Sequence, residues 1–74
     1  MDNFTDGYEA TKHLIELGHT EIAHIRGPEP FLRSKERELG YIHAMKDAGL
    51  HDVWIQASDF SIFLLDIHRF RLES

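Results

Sequence analysis

Seventy-four residues with a net charge of −5 and no cysteine leave room for one small domain and exclude disulfides and thiolate metal sites. They also argue against nucleic-acid binding by the chain itself, because neutralising phosphates needs a basic surface. Hydrophobic residues make up 42% and charged residues 28%, a globular rather than a disordered composition. No apolar run reaches the roughly 18 residues of a membrane helix. The opening MDNFTDG has neither the basic nor the apolar region of a secretion signal. A cytoplasmic setting without membrane association is therefore expected.

Asp6 is a plausible N-cap, with Glu9 at capping-box spacing, so a first helix is expected over about Gly7 to Leu17. Ala10, Leu14 and Leu17 would form its core face, with Tyr8 and Ile15 at the margins. Gly18 can take the left-handed conformation that ends a helix. Glu21 to Arg26 then reads as a strand, and its nearly continuous apolar run (Ile22, Ala23, Ile25) suits a strand covered on both faces. Gly27, Pro28 and Pro30 mark a loop leaving the C-terminal end of that strand. Ser34 is the expected N-cap of a second helix whose core face is Leu39, Ile42 and Met45. Gly40 inside that helix costs up to about 1 kcal/mol against alanine and implies a close neighbouring backbone. Gly49 ends it, and Asp52 to Ala57, with apolar Val53, Trp54 and Ile55, reads as a second strand.

Strand, helix, strand with short loops demands a parallel crossover, so the fold class is α/β: a parallel β-α-β unit preceded by a helix. Residues 62–74 crowd seven apolar side chains without a clean period, and a helix or an extended segment covering a sheet edge is expected there. Two parallel strands alone leave both edges unpaired, which invites self-association or a homodimer.

Six histidines (His13, His19, His24, His43, His51, His68) show no metal-ligand spacing and read as ordinary polar residues. Neither Ser34 nor Ser61 lies in a nucleophile motif, and the glycines make no phosphate loop. The chain is expected to be no enzyme and to hold no metal or cofactor. Arg37, one turn into the second helix, could offer paired donors to two ligand oxygens, with the Ser34 hydroxyl beside it. Arg37 pairing with an acid and Ser34 merely capping is the structural alternative. Phe60, after the second strand, could stack on a sugar face or a base, or simply pack under the tail.

These residues belong to a longer pattern. Asp2–Asn3, DGYEATKHLIELGHTEIAHIRG at Asp6 to Gly27, SKERELGY at Ser34 to Tyr41, AMKDAGL at Ala44 to Leu50 and DFS at Asp59 to Ser61 resemble the effector-binding core of the lactose-repressor/galactose-repressor (LacI/GalR) family of bacterial transcription regulators. The resemblance covers about residues 2–61. It departs from the family at Asp6–Gly7, where two glycines are usual, and after Ser61.

The resemblance implies a Rossmann-like, periplasmic-binding-protein-like subdomain, with residues 1–61 a partial effector-binding domain and 62–74 an apolar tail. It implies a small-molecule effector of the sugar or nucleobase class. Arg37 would contact the effector, Ser34 lie near it, Phe60 stack on it and Thr5 face the cleft. DNA would be bound only through a headpiece, expected to be missing along with the hinge and most of the rest of the core. The expected function is thus that of a truncated effector-binding segment of a regulator. The alternative is a small non-catalytic interaction protein that self-associates through open sheet edges and the apolar tail.

Overall fold

The computed structural model describes residues 2–26, 31–51, 53–57, 64–67 and 72–73. Helix α1 (Asn3–Glu16) leads into strand β1 (Ile22–Arg26), helix α2 (Phe31–Asp47) and strand β2 (Trp54–Ala57), followed by short strands β3 (Leu64–Asp66) and β4 (Leu72–Glu73). The strands form one mixed sheet in the order β2-β1-β3-β4. β1 and β2 are parallel, with Ala23 opposite Trp54 and Arg26 opposite Ala57. The unit β1–α2–β2 is therefore the parallel crossover that the loop lengths demand.

Helix α1 starts a turn earlier than the sequence suggests, and Asp2 rather than Asp6 is its N-cap. The Asp2 carboxylate accepts the Thr5 backbone N–H at 2.6 Å and the Thr5 hydroxyl at 3.0 Å. Asp6 falls inside the first turn, where its charge complements the positive end of the helix dipole. The extra turn sets Phe4 against Tyr8 and edge-on against His43 of α2, with ring centroids 6.3 and 5.2 Å apart.

Both helices stop in the same way. Gly18 and Gly49 take positive φ, 99° and 75°. His19 N–H then donates to the Leu14 carbonyl at 3.1 Å, and Leu50 N–H to that of Met45 at 2.9 Å. These are the long-range bonds of a Schellman motif. Leu17, expected in the core, is instead the C-cap residue and 49% exposed.

Helix α2 starts at Phe31, directly after Pro30 in the sequence, so Ser34 lies inside the helix and is not its N-cap. Its inward residues are also rotated from the expected set. Glu38, Tyr41, Ala44 and Met45 are buried, Ile42 packs at the margin, and Leu39 is 40% exposed.

The cause of that rotation is that α2 packs on two neighbours at once. A Cβ added at Gly7 would stand 2.4 Å from the Arg37 carbonyl oxygen. One added at Gly40 would stand 2.2 Å from the Phe4 carbonyl oxygen and 2.6 Å from Tyr8 N. The helices thus cross backbone to backbone at two glycines, and that contact fixes which side of α2 is left for the sheet.

The core is Leu14, Ile22, Tyr41, Met45 and Leu64. Tyr41 fastens α2 to both parallel strands: its hydroxyl donates to the Ile22 carbonyl and accepts the Trp54 backbone N–H at 3.3 Å. Burial pushes that hydroxyl's pKa up, so it stays protonated and able to donate. Ile22 through Ile25 are buried, as the apolar run predicts. β2 differs: it begins at Trp54 rather than at Asp52, and Val53 and Trp54 are exposed, as suits an edge strand of the described sheet.

Part of the apolar tail fills the other side of β1. β3 pairs antiparallel with it, Leu64 opposite His24 and Asp66 opposite Ile22. Of the two forms expected for the tail, a helix or an extended segment covering a sheet edge, the extended one occurs, and it covers the β1 edge. Leu64 is fully buried, and Asp66 is buried against His19 Nδ1, which it contacts directly. His24 is buried too, its ring stacked on Tyr41 at 5.7 Å. Two of the histidines that read as ordinary polar residues are thus interior groups.

Candidate functional site

Strand β1 ends at Arg26, and α2 begins five residues later at Phe31. The first turns of α2 therefore rise beside the C-terminal end of β1, the end of an open parallel sheet at which ligands ordinarily bind. A pocket of about 70 Å³ lies there, lined by Arg26, Ser34, Lys35 and Glu38. Arg26 Nε donates to Glu38 Oε1 at 2.8 Å, and Lys35 Nζ to Glu38 Oε2 at 3.2 Å. The Glu38 side chain is only 6% exposed, whereas those of Arg26 and Lys35 are 50% and 48% exposed. One interior carboxylate therefore holds two cations at the rim of the sheet.

Burial alone would raise the Glu38 pKa, but the hydrogen bonds from Arg26 and Lys35, with their charges, outweigh it and hold the carboxyl below its ordinary value of 4.5. A lowered folded-state pKa means that this cluster stabilises the chain above the unfolded-state value. That contribution is lost as pH falls through the folded-state value. Glu38→Gln is accordingly expected to flatten the fall in unfolding midpoint as the pH drops below about 4.5. Parallel acid profiles of the two proteins in urea would show that Glu38 is not held by its cations.

The expected site residues are placed as follows. Ser34, half-buried in the first turn of α2, lines the pocket. Arg37 is half-buried one turn further on, where α2 crosses α1 at Gly7. Thr5 is exposed at the start of α1, with its hydroxyl given to Asp2. The Asn3 side-chain amide donates to Glu36 at 3.2 Å, so the beginning of α1 adjoins the Arg37 turn. Ser34, Arg37 and Thr5 thus sit on neighbouring helix starts, Ser34 alone lining the pocket. Phe60 lies outside the described residues, three positions along the chain from Ala57, the partner of Arg26 in the sheet register.

Arg26, Lys35 and Glu38 were not singled out from the sequence. The signal was present in two places: Lys35 and Glu38 have the i, i+3 spacing of a helical ion pair, and Arg26 is the polar end of an otherwise apolar strand. A second, wider groove of about 330 Å³ runs between the helices, lined by Tyr8, Lys12, Ile15, Glu16, Ala44, Asp47 and Ala48. Tyr8 closes part of it by donating to Asp47 at 2.7 Å. Among the described residues no group of three or more metal-ligating side chains occurs, and no helix is long and apolar enough to cross a membrane.

The sequence model of the periplasmic binding proteins and sugar binding domain of the LacI family matches residues 1–63. Among curated proteins, the chain is 48% identical over 63 residues to the HTH-type transcriptional repressor PurR of Aliivibrio fischeri (strain MJ11), covering 81% of this chain and 19% of the relative. It is 46% identical over 50 residues to the HTH-type transcriptional regulator DegA of Bacillus subtilis (strain 168), covering 68% of this chain and 15% of the relative. It is 38% identical over 63 residues to the HTH-type transcriptional regulator CelR of Thermobifida fusca, covering 82% and 18%. The chain therefore spans about a fifth of the length of the curated relatives it matches. No solved structure matches it.

Proposed function

Because the chain belongs to the family of periplasmic binding proteins and LacI-type sugar-binding domains, we propose that it forms part of one wall of an effector cleft in a bacterial transcription regulator. The observation that carries this reading is the family match over residues 1–63, taken together with a parallel crossover whose C-terminal end gathers polar side chains. The relatives are named as transcriptional repressors and regulators, and DNA binding is assigned to a headpiece lying outside this segment. A cytoplasmic location follows from that role.

In this reading a sugar or nucleobase enters the cleft at the C-terminal rim of β1 and β2. Arg37 supplies charged donors to it, Ser34 a hydroxyl, Phe60 a stacking face, and Thr5 borders the cleft. The effector favours one of two cleft arrangements and so changes the affinity of the distant headpiece for DNA. No step of this requires covalent chemistry, which suits a chain read as a sensor rather than an enzyme.

The test is Arg37→Ala, made at the matching arginine of a full-length relative. A charged hydrogen bond is worth about 1.5–3 kcal/mol, so effector affinity is expected to drop by about 10- to 150-fold while the circular dichroism spectrum is kept. Unchanged effector affinity, measured by calorimetry, would remove Arg37 from the site.

A further inference from the structure

We propose that the pocket at the end of β1 is an oxyanion subsite, in which Arg26, Lys35 and Ser34 receive a carboxylate or phosphate group of the effector. The inference rests on the effector-cleft reading above and narrows its ligand class from sugars and nucleobases in general to ones bearing a negative charge.

Three features of the pocket point this way. The first is its donor set. Among the described residues Arg26 bonds Glu38 through Nε, and a guanidinium carries four further N–H donors. Lys35 likewise offers three N–H donors, one of them turned to Glu38. Ser34 adds a hydroxyl to the same pocket.

The second is charge. Glu38 neutralises one of the two cations it holds, so the pocket keeps a net positive charge. That one positive charge stands among the four lining residues of a chain whose overall net charge is −5.

The third is size. The volume of about 70 Å³ is several times the roughly 10–15 Å³ that admits one water by the same kind of measure. It is far below the roughly 300 Å³ at which small-molecule pockets begin. The pocket therefore takes a substituent of a ligand rather than a whole sugar ring.

Glu38 is the positioning residue of this arrangement. Its side chain is nearly buried and grips both cations, so their charged ends are held at the rim instead of sampling solvent.

The 74-residue chain can be tested directly by following backbone amide NMR shifts during titration with inorganic phosphate and, separately, with acetate, at constant ionic strength in chloride. Saturable shifts centred on Arg26, Ser34 and Lys35 are expected. Half-saturation should rise at least about fivefold in Arg26→Gln and in Lys35→Gln. Both side chains are half-exposed, and retained chemical-shift dispersion verifies that each variant is folded. Stronger binding of phosphate than acetate assigns the group as phosphate, and the reverse order assigns a carboxylate. Shifts that grow linearly without saturating, or that are equal in both folded variants, overturn the proposal.

The two readings fail separately. A full-length relative that keeps this cluster and binds glucose as tightly as gluconate and glucose 6-phosphate loses the oxyanion subsite and keeps the effector cleft. Saturable phosphate binding by this chain, with an effector response untouched by the Arg37→Ala change, keeps the subsite and removes the cleft assignment of Arg37.

Discussion

Gly40→Ala is expected to destabilise the chain by about 3 kcal/mol or more, the upper end of the cost of overpacking a closed interior. Helix propensity alone favours alanine over glycine there by up to about 1 kcal/mol, so the prediction runs against the local preference. The reason is the neighbour. The added methyl would meet the Phe4 carbonyl oxygen at 2.2 Å and Tyr8 N at 2.6 Å. Both are backbone atoms of α1, and no rotamer change can move them. The helices must separate, which loosens Phe4 from His43 and Tyr8 from Asp47. A chain of this length has a total stability of only about 4–11 kcal/mol, so the urea unfolding midpoint should fall by about a quarter to three quarters of its original value. A midpoint at or above that of the parent chain would mean that the two helices do not cross at their glycines.

The second large effect is expected at the tail. Leu64→Ala should cost about 2–5 kcal/mol, because the residue is fully buried in the central cluster with Leu14, Ile22, Tyr41 and Met45. It should also free β3 from β1 and so expose the β1 edge to other chains. Thermal unfolding followed by circular dichroism, with light scattering in parallel, measures both. A melting curve that superimposes on that of the parent would show that the segment from Leu64 to Asp66 is not part of the packed sheet.

The sequence carried the backbone plan further than the details of packing. The apolar run of Ile22 to Ile25, the helix stops at Gly18 and Gly49, and the short loops around α2 each obey a local rule. Together they specify parallel pairing of β1 with β2. What the sequence concealed depends on contacts between elements. Leu39 and Leu17 fit a helical apolar stripe as well as Tyr41 and Met45 do. Only the crossing at Gly7 and Gly40 decides which way α2 is turned. Asp2 and Asp6 are both credible caps, and Asp2 prevails because an earlier start lets Phe4 pack on α2.

The same division holds at the rim. Arg37 and Ser34 stood out through motif spacing, and the structure puts them on adjacent turns of α2. The Arg26–Glu38–Lys35 cluster stayed hidden because its members come from a strand and a helix twelve residues apart. Their meeting depends on how far α2 rises beside the end of β1. His19 and Asp66 are hidden for a stronger version of the same reason: 47 residues separate them, and they meet only after β3 docks.

An effector in the proposed cleft faces the C-terminal end of the β1–α2–β2 layer. Amide hydrogen exchange in a full-length relative, with and without its effector, addresses that directly. Slowed exchange at the positions corresponding to Arg26 to Arg37, with none at those corresponding to Leu17 to Glu21 and Ala48 to Val53, is the predicted outcome. Protection confined to those latter two segments, which precede the strands, would contradict it.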